Sequence, residues 1–137
     1  MFTHISSCKQ LIIRCTKTSI NRLYKRTQKI IVSYFNNKQI REEKWIKNGK
    51  LHRIYTYDDN GQKLYEAWHN KNGVKERIGA PAVICYFKSG QLRHNAWYKD
   101  GELHRPGGAP FFVVYFENGK INAKYASVEQ FVRGKNI

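Results

Sequence analysis

WHNKNGVKERIGAPAVICYFKSG, residues 68–90, and WYKDGELHRPGGAPFFVVYFENG, residues 97–119, align without a gap at an offset of 29. Trp68 falls on Trp97, Gly79-Ala80-Pro81 on Gly108-Ala109-Pro110, Tyr86-Phe87 on Tyr115-Phe116 and Gly90 on Gly119. A shorter copy precedes them, with Trp45, Gly49, His52, Arg53, Tyr57 and Gly61 as landmarks; Trp45 lies 23 residues before Trp68, and the Gly-Ala-Pro insert is missing. Each unit reads Trp, three or four residues, Gly, two residues, His or Glu, Arg, and then Tyr, three residues, Gly.

The glycines decide what the unit is. Six of them follow Asn, Asp or Ser: Asn48-Gly49, Asn60-Gly61, Asn72-Gly73, Ser89-Gly90, Asp100-Gly101 and Asn118-Gly119. Runs rich in Trp, Tyr, Val, Ile and Phe separate them. Asn-Gly and Asp-Gly tolerate the positive φ of a tight hairpin turn, so the pattern predicts consecutive antiparallel β-hairpins. One hairpin cannot bury enough surface to stand in water, whereas stacked hairpins cover one another. Pro81 and Pro110 open their apolar runs, where a missing N–H does least harm. Val83–Phe87 and Phe112–Phe116 are continuous apolar runs and so the best-covered strands.

Repetition gives the conspicuous side chains shared roles. Trp45, Trp68 and Trp97 form one expected structural ladder, and Tyr57, Tyr86 and Tyr115 a second. Such aromatics supply the largest apolar areas available. Arg53, Arg77 and Arg105 each stand four places after a turn glycine. Two readings of this arginine stripe are open: each guanidinium stacks on an aromatic or pairs with an acid across strands, or the three grip phosphate or carboxylate.

Both ends differ from the array. In 137 residues with a formal charge of +15, Met1–Arg41 holds nine basic residues and no acid, which leaves about +6 for the rest. Ile20, Leu23, Tyr24, Ile30, Ile31, Tyr34 and Phe35 fall mostly at helical spacing, with basic residues between them, and predict a basic amphipathic helix over 18–34. Ile5, Cys8, Leu11, Ile12 and Cys15 continue the pattern weakly. Such an arm could pack on the array, lie on a membrane surface, act as a mitochondrial targeting segment or neutralise nucleic-acid phosphates. Its anion-binding residues would be Lys17, Arg22, Lys25, Arg26 and Lys29. At the far end, Ser127 and Gln130 stand at capping-box spacing before Phe131 and Val132, with Gly134 as a stop. A short helix there would cover the sheet's unpaired edge. The expected domains are a helical arm over 1–40, the hairpin array over 41–126 and a capping helix with tail over 127–137.

Chemistry is sparse in the sequence. Three cysteines without a spaced framework argue for a reducing, intracellular compartment, with Cys85 as a small buried hydrophobe. No run reaches the ~18 apolar residues of a membrane span, and no hydrophobic signal core opens the chain. Five histidines lack the convergence of a zinc site, and His52 and His104 occupy equivalent repeat positions. No phosphate-binding loop, nucleophile elbow or dinucleotide fingerprint occurs. No catalytic residue, metal or cofactor is expected.

From residue 44 to 125 the 23-residue first copy and the aromatic–Gly–His rhythm resemble MORN repeats. Arg53 and Arg105 stand where a MORN unit has Gly after His, and the second copy has Glu76 in place of His. The longer form with Gly-Ala-Pro is similar to MORN-like repeats of large DNA viruses of amoebae, and to hairpin repeats of certain bacterial antitoxin-annotated proteins. The resemblance implies scaffolding, protein–protein contact and contact with acidic phospholipids. The expectation is thus a mainly β, non-enzymatic interaction protein that binds another protein through its hairpin face. The alternative is a binder of acidic lipid or nucleic acid through the basic arm.

Overall fold

The computed structural model of the chain describes residues 11–14 and 28–135. Within them, strands β1 (Leu11–Arg14), β2 (Gln28–Tyr34), β3 (Ile40–Lys47), β4 (Lys50–Tyr57), β5 (Lys63–Trp68), β6 (Val83–Tyr86), β7 (Leu92–Ala96), β10 (Phe112–Tyr115) and β11 (Ile121–Tyr125) form one antiparallel sheet in that order. Two short strands, β8 (Tyr98–Lys99) and β9 (Glu102–Leu103), pair apart from it, and α1 (Val128–Lys135) follows β11. Every strand of the large sheet neighbours the next of its strands in sequence, with the β8–β9 hairpin inserted between β7 and β10.

The helix expected over 18–34 is not what residues 28–34 form. Ile30-Ile31-Val32 lies in β2, paired with β1 on one side and β3 on the other, and the array therefore begins before residue 41. The physical reason is the β-branched run, which loses side-chain freedom in a helix and packs well on a pleated surface with partners on both sides. Leu11–Arg14, expected to continue the helical pattern, is likewise a strand. Residues 18–27 of the expected helix lie outside the described residues.

The turns are of two kinds. Asn48-Gly49 and Asp100-Gly101 are two-residue turns with positive φ at both positions, 51° and 76°, and 50° and 86°. The loops after Phe35, Asp58, Asn70, Phe87 and Phe116 have three residues, of which only the last has positive φ. Phe35, Asp58, Phe87 and Phe116 each receive and return a backbone hydrogen bond across such a loop, to Gln39, Gln62, Gln91 and Lys120 and from Lys38, Gly61, Gly90 and Gly119. Lys38 thus holds the glycine place of an upstream turn, at φ 69°. Stepping back 23 residues from Gly61 and Tyr57 leads to Lys38 and Tyr34. An L-residue in this left-handed conformation costs about 1–2 kcal/mol, partly offset in a Gly variant by the freer unfolded chain. Lys38→Gly is therefore expected to stabilise the fold by roughly 0.5–1 kcal/mol, raising the midpoint of thermal unfolding followed by circular dichroism.

Register sorts the side chains onto two faces. Ile30, Trp45, Arg53 and Trp68 are successive cross-strand neighbours, and Val32, Glu43, Tyr55, Glu66, Ile84, Asn95, Val113 and Lys124 form the next row of the same face. On the opposite face one row runs Ile31, Lys44, Ile54, Ala67, Val83, Ala96, Phe112 and Tyr125. The small residues of that row have a purpose. Ala67 and Ala96 are at most 1% exposed and cluster with Val83 and Cys85, while Tyr98 and Leu103 of the β8–β9 hairpin pack against the cluster. A longer side chain at either alanine would push that hairpin off the sheet.

The C-terminal helix forms where the sequence places it. Ser127 Oγ accepts the N–H of Gln130 at 3.2 Å, and Gln130 Oε1 accepts that of Ala126 at 3.1 Å. Phe131 lies 4.9 Å from the ring of Phe112 and 5.5 Å from that of Tyr125, so the helix rests on the alanine face of the last hairpin. Gly134 does not stop it, since the helix runs to Lys135. Instead Gly134 admits the Tyr125 ring: a Cβ there would stand 2.6 Å from Tyr125 Cε1 and Oη.

Candidate functional site

The residues singled out by repetition meet on one face. The cross-strand register Trp45–Arg53–Trp68 sets an arginine between two indoles. The Arg53 guanidinium carbon lies 4.5 Å from the Trp45 ring centre and 5.0 Å from that of Trp68. Arg77 approaches Trp68 at 4.2 Å, so this indole carries two guanidinium groups. Arg105 sits 4.2 Å from Trp97 and donates from Nη1 to the Pro110 carbonyl at 3.2 Å. Each tryptophan therefore bears the arginine of its own unit, and the geometry is that of cation–π stacking. The Trp45 and Trp68 indole N–H groups and Arg53 Nε are buried without a hydrogen-bond partner.

Carboxylates flank the stack. Glu66 is only 8% exposed, with Lys63 Nζ at 3.1 Å and Arg77 Nη1 at 3.7 Å. Lys63 Nζ also lies over the Tyr55 ring at 4.8 Å. Tyr57 donates its hydroxyl to Glu43 Oε2 at 3.2 Å. Burial, and then the Glu43 carboxylate, push the Tyr57 phenol up to about 12. Tyr86 is raised by burial and then by Glu66. The Tyr115 hydroxyl accepts from Asn95 Nδ2 at 3.4 Å. The tyrosine rungs thus lean on polar neighbours of adjoining strands. A phenol whose pKa is higher in the fold favours the protonated, folded form. Its contribution is complete below pH 10 and fades as pH rises toward about 12. In an ultraviolet titration of tyrosinate, Tyr57→Phe should remove one late-ionising phenol, and Glu43→Gln should bring Tyr57 part of the way down.

Two hollows lie outside the stack. A groove of about 150 Å³ runs between the Asn48-Gly49 turn and the Asn70–Val74 hairpin, lined among others by Lys47, Lys50, Lys71, His52 and His69. His52 donates from Nδ1 to the His69 carbonyl at 3.2 Å. Burial, and then Lys75, hold the His69 imidazole below its usual range, so it is neutral at pH 7. The second hollow is an open cleft of about 400 Å³ whose lining includes Leu64, Tyr65, Cys85, Phe87 and Arg93. Burial pushes the Cys85 thiol up, which makes it a packing residue rather than a thiolate nucleophile.

Comparison of the chain with family models, curated proteins and solved structures finds no match.

The structure brings Trp45, Trp68, Arg53 and Arg77 together, and sets Trp97 with Arg105 as a separate pair one unit along. Of the residues named for anion binding, Lys29 is exposed on β2, and Lys17, Arg22, Lys25 and Arg26 lie outside the described residues. Sequence reasoning missed Glu43, Glu66 and Lys63 as partners of the ladder. Their alternation within β3 and β5 was the available signal. Among the described residues no three His, Cys, Asp or Glu side chains gather as metal ligands, and no helix is long and apolar enough to cross a membrane.

Proposed function

We propose that the chain is a non-enzymatic interaction protein of the hairpin-repeat kind, akin in design to MORN repeats, that holds another protein against its tryptophan face. One observation carries this reading: the recurring Trp and Arg residues stack on one another along one face of the sheet, with Tyr57 hydrogen-bonded to Glu43 on the same face. Flat, aromatic- and arginine-rich surfaces are what protein contacts favour. The connection that follows Arg77 adds an anchor, because Ile78 is 96% exposed. The test is recovery of partners from an extract of the source cells by the full chain and by Ile78→Asp, with folding checked by circular dichroism. The expected result is a partner bound directly in purified form and lost with Ile78→Asp. A purified partner bound equally by both, and equally by Arg77→Ala, contradicts this use of the face.

A second reading, binding of acidic lipid or nucleic acid by the basic arm, has its own support. Lys29 is exposed on β2, the strand next to the sheet's β1 edge. Changing Lys17, Arg22, Lys25, Arg26 and Lys29 to Gln should abolish binding to anionic vesicles or duplex DNA and remove its salt dependence. Unchanged binding by that variant would exclude the arm.

A further inference from the structure

We propose that the groove between the Asn48-Gly49 turn and the Asn70–Val74 hairpin binds the phosphate group of a small phosphate ester, with Lys47, Lys50 and Lys71 as its charge partners. The lining contains no carboxylate. None of these three lysines has an ion pair among the described residues, whereas Lys44 and Lys63 do. The volume of about 150 Å³ is enough for one tetrahedral oxyanion. The groove is open to solvent, so the ester's organic part can extend out of it. Lysine suits such a ligand as a compact point charge. Glu76 stands at the margin, where its Oε2 accepts from Asn70 Nδ2 at 2.6 Å.

The repeat supplies an internal control. Successive hairpin tips stack in one way along this edge: Gly73 lies against the stem of Lys50, and Gly101 against Val74. A Cβ at Gly73 would stand 3.8 Å from Lys50 Cβ, and one at Gly101 3.5 Å from Val74 Cβ. Lys50 and Val74 are thus equivalent, each directly after its turn glycine. Packing needs only a short stem there, which Val74 provides, so the ammonium of Lys50 is not required by the fold. One unit along, Val74 stands in the lysine's place, and the facing hairpin carries Asp100 and Glu102. The lining of the first groove has lysines and no carboxylate.

The test is a residue-resolved NMR titration of the full chain at fixed ionic strength, with three probes in separate arms: inorganic phosphate, a nucleoside monophosphate and glycerol phosphate. The expected shifts concentrate at residues 47–52 and 69–73. Lys50→Val, whose side chain the neighbouring unit already accommodates, should weaken binding at least about ten-fold, as loss of a charge-assisted contact implies. Lys71→Gln should act similarly, and Lys99→Gln in the neighbouring unit should leave affinity unchanged. Tighter binding of either ester than of free phosphate, lost in Lys50→Val, supports the site and identifies the favoured attached group. Shifts spread evenly over all lysines, or equal affinity of the wild type and Lys50→Val for all three probes, would overturn it.

Discussion

Trp68→Ala should lower stability by about 3 kcal/mol, the lower end of the range for removing a large aromatic from a protein interior. Trp68 is half-buried, which argues for that lower end. The loss has two parts. The indole area goes, and so do the contacts with Arg53 at 5.0 Å and Arg77 at 4.2 Å. Each such contact contributes about 0.5–2 kcal/mol according to how far it is desolvated. Arg77 would keep only its 3.7 Å approach to Glu66. In a chain whose total stability is about 5–15 kcal/mol, this is a large fraction. Thermal unfolding should shift down by about 10 °C. Trp97→Ala, which removes contact with a single guanidinium, should cost less. Equal shifts for the two variants would mean that the shared stack adds nothing beyond buried area.

Gly90→Val should cost about 2–3 kcal/mol, and Gly119→Val about 1 kcal/mol less. Both glycines have φ between 85° and 89°, a conformation that a β-branched residue resists. They differ in what a side chain would meet. At Gly90 a Cβ would come within 3.2 Å of Gln62 Oε1, because this turn stacks on the one before it; at Gly119 nothing lies within 4 Å. The difference between the two variants, measured by denaturant unfolding, therefore isolates turn-on-turn stacking from backbone strain. Gly61, over Gln39 Oε1 at 3.5 Å, should fall between them.

The sequence made the array legible because its turns announce themselves. Asn-Gly and Asp-Gly can adopt positive φ cheaply, and the 29-residue offset set Trp68 beside Trp97 and Tyr86 beside Tyr115. The stacking of the arginines on indoles is one of two readings that the sequence leaves open, and the contact itself comes from register at Arg53, the cross-strand neighbour of both Trp45 and Trp68. Less regular features were hidden. The turn at Lys38 carries no glycine, so the first unit seemed to start at Trp45. Ile30-Ile31-Val32 suits either a helix spacing or a strand, and the choice falls to partners distant in sequence. Gly134 reads as a helix stop, yet its missing Cβ serves the Tyr125 ring. The burial of Glu66 depends on Lys63 and Arg77, which three-dimensional pairing alone brings together. The lysine groove needs two hairpin tips side by side, and no single stretch of sequence contains both.

The most direct test of the central claim, that the units pair into one sheet with an arginine held between successive indoles, is a nuclear Overhauser measurement on the full chain. The account predicts contacts from the Arg53 side-chain protons to both the Trp45 and the Trp68 rings, together with cross-strand backbone contacts between residues 45 and 53 and between 53 and 68. Arginine resonances that touch neither ring, or those three backbone segments without mutual contacts, would contradict it.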